Sequence, residues 1–203
     1  MSSMRECRQG GSGNKLIAFT FDDGPHSGNT PKLLDLAATT AIKLTFFLVG
    51  QRIERHSDII RRQASEGHEL GNHSWSHPDL TTLDCDTLRS EIEATDDAIF
   101  QHGGIKASLF RPPYGRITQT QREWLNNVFG YKTILWTIDS RDWQSRNSEA
   151  ISAMILREAR PGAIVLLHDI HRASIEAMSV TFESLLSDAY ELVTVSELLD
   201  RVS

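Results

Sequence analysis

Cysteine is scarce: Cys7 and Cys85 are the only two in 203 residues. Two thiols build no disulfide framework, so an apolar core must hold the fold, and the redox compartment stays open. An excess of positive charge is also missing. Lys and Arg number 21 against 27 Asp and Glu, a formal net charge of -6. Nucleic acid, which needs a concentrated basic face, is therefore not an expected partner. No apolar run approaches the roughly 20 residues of a membrane span; the longest, GAIVLLH at 162–168, is strand-sized. The opening MSSMRECRQGGSGNK has no apolar stretch of the kind a signal peptide needs. The chain as it stands is thus expected to carry no export signal, which reads as cytoplasmic, or extracytoplasmic if a leader was trimmed. Repeats and low-complexity tracts are absent too. The expected organisation is a flexible leader over 1–14 and one domain over 15–203, acting as a monomer.

What is present is alternation. Strand-like runs rich in β-branched and aromatic residues stand at 15–21 (KLIAFTF), 43–50 (KLTFFLVG), 108–114 (SLFRPPY), 131–138 (YKTILWTI) and 162–168 (GAIVLLH). Helix-length amphipathic segments separate them. Thr30-Pro31 reads as an N-cap followed by proline, with Leu33, Leu34 and Ala37 on one face. Ile59, Ile60, Gln63 and Ala64 repeat the spacing before Gly67, and Leu88, Ile92, Thr95 and Ile99 do so after Asp84. Strands alternating with helices predict parallel βαβ units, and six or seven such units favour closure into a barrel. In such folds the chemistry sits at the C-terminal ends of the strands.

The unusual residues fall there. Asp22 and Asp23 end the first strand run, Arg111 and Tyr114 lie in RPPYG, Asp139 and Trp143 in DSRDW, and His168 ends AIVLLH. Adjacent carboxylates repel and raise one another's pKa unless a cation separates their roles. HSWSH supplies the means: His73 and His77 are four apart, so one helical turn would aim both imidazoles the same way, with Pro78 ending that turn. Two neutral imidazoles and one carboxylate make a three-ligand set with open positions, as catalytic zinc sites do. On spacing alone either aspartate is the ligand, the other being left as general base. A His pair at this spacing is ordinary in a chain with eight histidines, and Asp-Asp-Gly-Pro is also turn sequence. The motifs gain weight from their order at successive strand ends. His26, His56, His68, His102 and His171 read as surface, turn or loop residues.

TFDDGP, HSWSH, RPPYG, DSRDW and LLHD, in this order, resemble the polysaccharide deacetylases with a NodB-type domain, carbohydrate esterase family 4. The resemblance runs from about Lys15 past the last motif, and ELVTVSELL is similar to the family's C-terminal end. Leu44, where alanine is usual, and a missing proline in IHRASIEAMS depart from the pattern outside the motifs. The resemblance implies a distorted (β/α) barrel and hydrolytic N-deacetylation of N-acetylglucosamine units in a β-1,4-linked glycan: chitin, chitooligosaccharide or peptidoglycan. O-acetyl esterase action on xylan and non-catalytic carbohydrate binding are the alternatives. It further implies a divalent metal, usually zinc, with cobalt or another ion also accepted, on Asp23, His73 and His77. Asp22 would be the general base, paired with Arg111, and His168 the general acid, held and tuned by Asp139. Tyr114 would lend its backbone N–H to an oxyanion hole, and Trp143 and Leu166 would form a pocket for the acetyl methyl.

Overall fold

The computed structural model describes residues 15–201; the expected leader over 1–14, and Cys7 with it, lie outside the described residues. Eight strands and eight α-helices follow one another among the described residues. They begin β1 (Leu16–Asp22), α1 (Thr30–Thr40), β2 (Thr45–Leu48), α2 (Gly50–Arg55), α3 (Ser57–Ser65), β3 (Glu69–Asn72), α4 (Cys85–Gly103) and β4 (Leu109–Phe110). They continue α5 (Gln119–Phe129), β5 (Lys132–Thr133), β6 (Ile138–Asp139), α6 (Ser148–Glu158), β7 (Ala163–His168), α7 (Arg172–Ser187), β8 (Glu191–Val193) and α8 (Val195–Asp200). Every strand pair is parallel, in the order β5-β4-β3-β2-β1-β7-β6, with β8 beside the start of β1. The expected distorted (β/α) barrel is what forms.

Several local expectations need adjustment. The first helix is capped at Asn29 rather than Thr30, with Pro31 in its first turn as read. Asp84, just before the third apolar stripe, caps α4, its side chain accepting the Thr87 N–H at 2.8 Å. YKTILWTI is not one strand but two short ones, β5 and β6, at opposite edges of the sheet. Ile134 still donates to Phe110 of β4, and Thr137 already donates to Ile164 of β7. Three Cα steps, at most about 11 Å, therefore join the two edges, and covalent chain closes the curl where a ladder would otherwise do so. His68 is not a surface residue: it is buried, its Nδ1 accepts the Leu44 N–H at 3.1 Å, and burial lowers its pKa to about 4.

All seven residues of β1 are buried, and their parity decides what each face does. Ile17, Phe19 and Phe21 join the large cluster under the helices. Leu16 and Ala18 join a second cluster with Ile164, Val193 and the α8 residues Val195 and Leu198. Side chains two apart share a face, so Thr20 and Asp22 continue the inner row. Register carries the argument across the ladder: Ala18 pairs with Ile164, Thr20 with Leu166 and Asp22 with His168. An aspartate and a histidine thus arrive side by side on the inside of the curl, at the C-terminal rim.

Candidate active site

Asp22 is buried, and Arg111, just after β4, is completely so. The guanidinium donates through Nη1 to Asp22 Oδ1 at 2.7 Å and to Thr20 Oγ1 at 2.6 Å. Nε and Nη2 donate to the carbonyls of Ile134 and Leu135, both at 3.3 Å, and the group lies 4.1 Å from the centre of the Phe47 ring. Burial raises the Asp22 pKa above the usual carboxylate value, and the charge and hydrogen bond of Arg111 oppose that shift. The carboxylate is held in one orientation with a basicity suited to accepting a proton.

After Asp22 the chain turns: Asp23 has a left-handed φ of 69°. A Cβ on Gly24 would stand 2.4 Å from a carboxylate oxygen of Asp169, so only glycine fits beside that buried side chain. Asp169 also accepts the hydroxyl of Thr30, which itself accepts the His26 N–H at 2.7 Å. Burial pushes the Asp169 pKa up to about 7. These contacts anchor the turn that presents Asp23.

HSWSH does not form the expected helical turn. Ser74 and His77 take left-handed φ values of 65° and 62°, so a loop brings the imidazoles together. Their ring centres are 4.9 Å apart. The loop is tied to α4: the Glu91 carboxylate accepts the N–H groups of Trp75 (2.9 Å) and Ser76 (2.8 Å) and the Ser76 hydroxyl (2.7 Å). Asn72 accepts the Ser74 N–H at 2.8 Å and donates to Asp96 at 2.9 Å. None of Asn72, Glu91 and Asp96 is singled out by the sequence reading. Glu91 carries a usable signal, because a carboxylate between Leu88 and Ile92 sits beside the apolar stripe of α4.

Asp23 Oδ1 lies 3.3 Å from His77 Nε2 and 3.6 Å from His73 Nε2, and the facing ligand atoms of all three residues lie within 4.8 Å of one another. That oxygen is buried with no hydrogen-bond partner, which is costly unless a cation answers it. His73 Nδ1 bonds the Arg111 carbonyl at 2.6 Å, an arrangement in which the N–H donates and the Nε2 lone pair is left free. Burial lowers the His73 pKa to about 3, so the ring is neutral, the form that ligates. The donor set fits a divalent ion such as zinc.

On the other side of Asp22, His168 Nδ1 meets Asp142 Oδ1 at 2.7 Å. Asp142 Oδ2 also accepts the His168 N–H at 2.7 Å and the Ser174 hydroxyl at 2.5 Å. This corrects the expectation for Asp139. That residue pairs in register with Leu166, two positions short of His168, and its Oδ1 accepts the Arg141 N–H at 2.9 Å. A turn with Arg141 at φ 52° then returns the chain and places Asp142 against the histidine. Burial disfavours the imidazolium, but Asp142 and the carboxylates of Asp22 and Asp23 outweigh it and hold the His168 pKa at about 9. The Asp142 pKa is lowered because its bonds to His168 and Ser174 outweigh its own burial.

One cavity of about 530 Å³ gathers these groups: Asp22, Asp23, His73, His77, Asp139 and His168 line it. Tyr114, at φ 58°, Trp143 and Leu166 line it as well, the first two exposed at its mouth. Pro112, Gly115, Trp136 and His171 complete the wall, His171 from the loop between β7 and α7. Every site residue named from the sequence except Arg111, which lies behind Asp22, borders this space.

Three known proteins similar to this chain share one activity class in their names. The chain spans 91% of its own length, but only 39% of the relative's, in an alignment 38% identical over 185 residues to the peptidoglycan-N-acetylglucosamine deacetylase PgdA of Listeria monocytogenes. It is 38% identical over 161 residues to the chitooligosaccharide deacetylase of Rhizobium leguminosarum bv. trifolii, covering 79% of this chain and 74% of that one. The crystal structure of the Bc1960 peptidoglycan N-acetylglucosamine deacetylase superposes with a TM-score of 0.92 at 30% identity, over 95% of this chain and 92% of that one. The polysaccharide deacetylase family model matches residues 9–134, more than half the length, and the chain belongs to that family.

Proposed function

We propose that the protein hydrolyses the acetamide of an N-acetylhexosamine residue in a β-1,4-linked glycan, of peptidoglycan or chitooligosaccharide type, to acetate and a free amine. The observation that carries this reading is the meeting, in one cavity, of an arginine-held carboxylate, a carboxylate-held imidazole and the Asp23/His73/His77 donor set. A divalent ion on those three residues, zinc by preference, would polarise the acetamide carbonyl and lower the pKa of a water molecule. Asp22 accepts a proton from the attacking water, whose oxygen bonds to the carbonyl carbon. His168 donates a proton to the nitrogen as the C–N bond breaks, and Asp142 holds its ring in place. The Tyr114 N–H faces the developing oxyanion, a type of donor that accounts for about 3 kcal/mol in such reactions. Trp143 and Leu166 receive the acetyl methyl. A base held by an arginine and an acid held by a carboxylate keep opposite protonation states at neutral pH, as hydrolysis across an amide requires.

Acetate release from chitooligosaccharides, peptidoglycan fragments and acetylated xylan, measured beside metal content, tests this. Chelation is expected to abolish release and zinc or cobalt to restore it; full activity in verified metal-free protein overturns the reading. Asp22→Asn is expected to keep the metal and lose turnover, and Asp23→Asn to lose metal affinity. The opposite pattern would exchange the two roles, and release from xylan alone would make the protein an O-acetyl esterase.

A further inference from the structure

Asp23 and His77 also border a second recess, of about 260 Å³, whose other walls include Gln51, Arg52, Arg55 and Ser76. Its character differs from that of the main cavity. No Trp, Tyr or Phe lines it, and two arginines from α2 border it. Among the described residues neither arginine makes a side-chain hydrogen bond or ion pair. Glu54, which stands between them in sequence, lies 3.5 Å from His102 instead. Basic residues in a last helical turn suit the helix's partial negative charge, but that effect calls for no concavity and no shared wall with a reaction centre.

The recess is also fixed in place. Gly50 and Gln51 donate their N–H groups to the Ser74 and Trp75 carbonyls at 3.0 and 3.1 Å, tying α2 to the loop that carries His73 and His77. A Cβ on Gly50 would lie 2.2 Å from the Trp75 ring, so the two segments meet as closely as glycine allows. The backbone that carries the arginines thus holds a set position relative to the candidate metal ligands, so both side chains start beside the recess.

We propose that this recess is a subsite for a carboxylate carried by the glycan, on the sugar being deacetylated or on the branch it bears. The proposal rests on the deacetylase reading and adds to it the charge of the preferred substrate. A guanidinium fork matches a planar carboxylate, and Gln51 offers a further donor. The Asp23 carboxylate in the same wall disfavours a dianion such as a phosphate monoester. Because Asp23 and His77 belong to both spaces, a group in the recess is within a sugar's width of the acetamide. The carboxylate has two chemical sources: an ether-linked lactyl acid on the hexosamine, or the acidic residues of a peptide attached to it.

Three matched oligosaccharides test this: one with free lactyl carboxylates, one with the same groups as neutral lactamides, and one with short acidic peptides. Wild-type protein is expected to show a kcat/KM about tenfold higher on a carboxylate-bearing substrate than on the neutral one at low salt, declining as salt rises, the size of partly exposed charged hydrogen bonds. The Arg52→Gln/Arg55→Gln double variant is expected to bring that ratio to about one through KM, with the neutral substrate turned over as before. A preference confined to the lactyl or to the peptide substrate identifies the source. A ratio near one in the wild type, or one that survives in the variant, overturns the subsite. If wild type hydrolyses none of the three, the deacetylase reading falls, and calorimetric binding of the lactyl and lactamide compounds decides the subsite separately. Tighter binding of the acid that the double variant loses supports it, and equal affinity overturns it.

Discussion

Asp139 and Asp142 are the same residue type in one five-residue motif, and only one of them touches His168. Their difference is measurable through pH. The His168 pKa stands near 9, above its ordinary value of about 6.5, so protonation favours the folded state. That contribution is fully present below the ordinary value and is lost as pH rises through about 9. In the proposed reaction the same proton is the one the leaving amine takes. Asp142→Asn is expected to move the alkaline limb of the kcat profile to lower pH and to reduce kcat by roughly a hundredfold or more, the scale of general-acid contributions. Asp139→Asn should leave the limb where it is. A pH–rate profile of both variants checks this, and a limb moved by Asp139→Asn alone would sink the assignment. The role given to Asp139 enters through the family resemblance alone, and nothing in DSRDW says which of its two aspartates meets the histidine. The turn that returns Asp142 depends on Arg141 at positive φ, which no glycine or asparagine announces.

Helix α4 does more than cover the sheet. Its apolar stripe and Asp84 cap are legible from residue spacing, and the structure reproduces both. Its polar grip on the ligand loop is not legible, because the partners are 15 and 16 residues apart and the loop has no regular period. The same irregularity explains why His73 and His77 come together for a reason other than the one their spacing suggests. Their spacing of four suggests a helical turn, whereas left-handed Ser74 and His77, together with Glu91, create the convergence. Glu91→Gln replaces an acceptor of three hydrogen bonds by an amide that accepts through one oxygen only. Zinc affinity is expected to fall by about 10- to 100-fold, as when outer-shell partners of ligands are removed, with helix content by circular dichroism unchanged. Unchanged affinity in a chelator competition would mean the loop holds its shape without α4.

At the scale of the whole molecule, alternating strands and helices make the barrel readable, while the segment that closes it is not marked in the sequence. YKTILWTI looks like one strand because its residues favour β structure, yet Ile134 belongs to one sheet edge and Thr137 to the other. Arg111 spans that seam. It donates to the Ile134 and Leu135 carbonyls and, with the same guanidinium, holds Asp22 on the central strand. The group that orients Asp22 therefore also ties the closing segment of the curl. Arg111→Lys keeps a positive charge for Asp22 but lacks the planar fork needed to reach the seam carbonyls as well. Losing one or two hydrogen bonds of about 1 kcal/mol each predicts roughly tenfold faster amide exchange over residues 134–139. Peptides from β1, which pairs with β2, β7 and β8, should exchange as in the wild type. Hydrogen exchange followed by mass spectrometry separates the possibilities: acceleration confined to the seam supports a joint role, and equal acceleration throughout would mean that Arg111 contributes only to global stability.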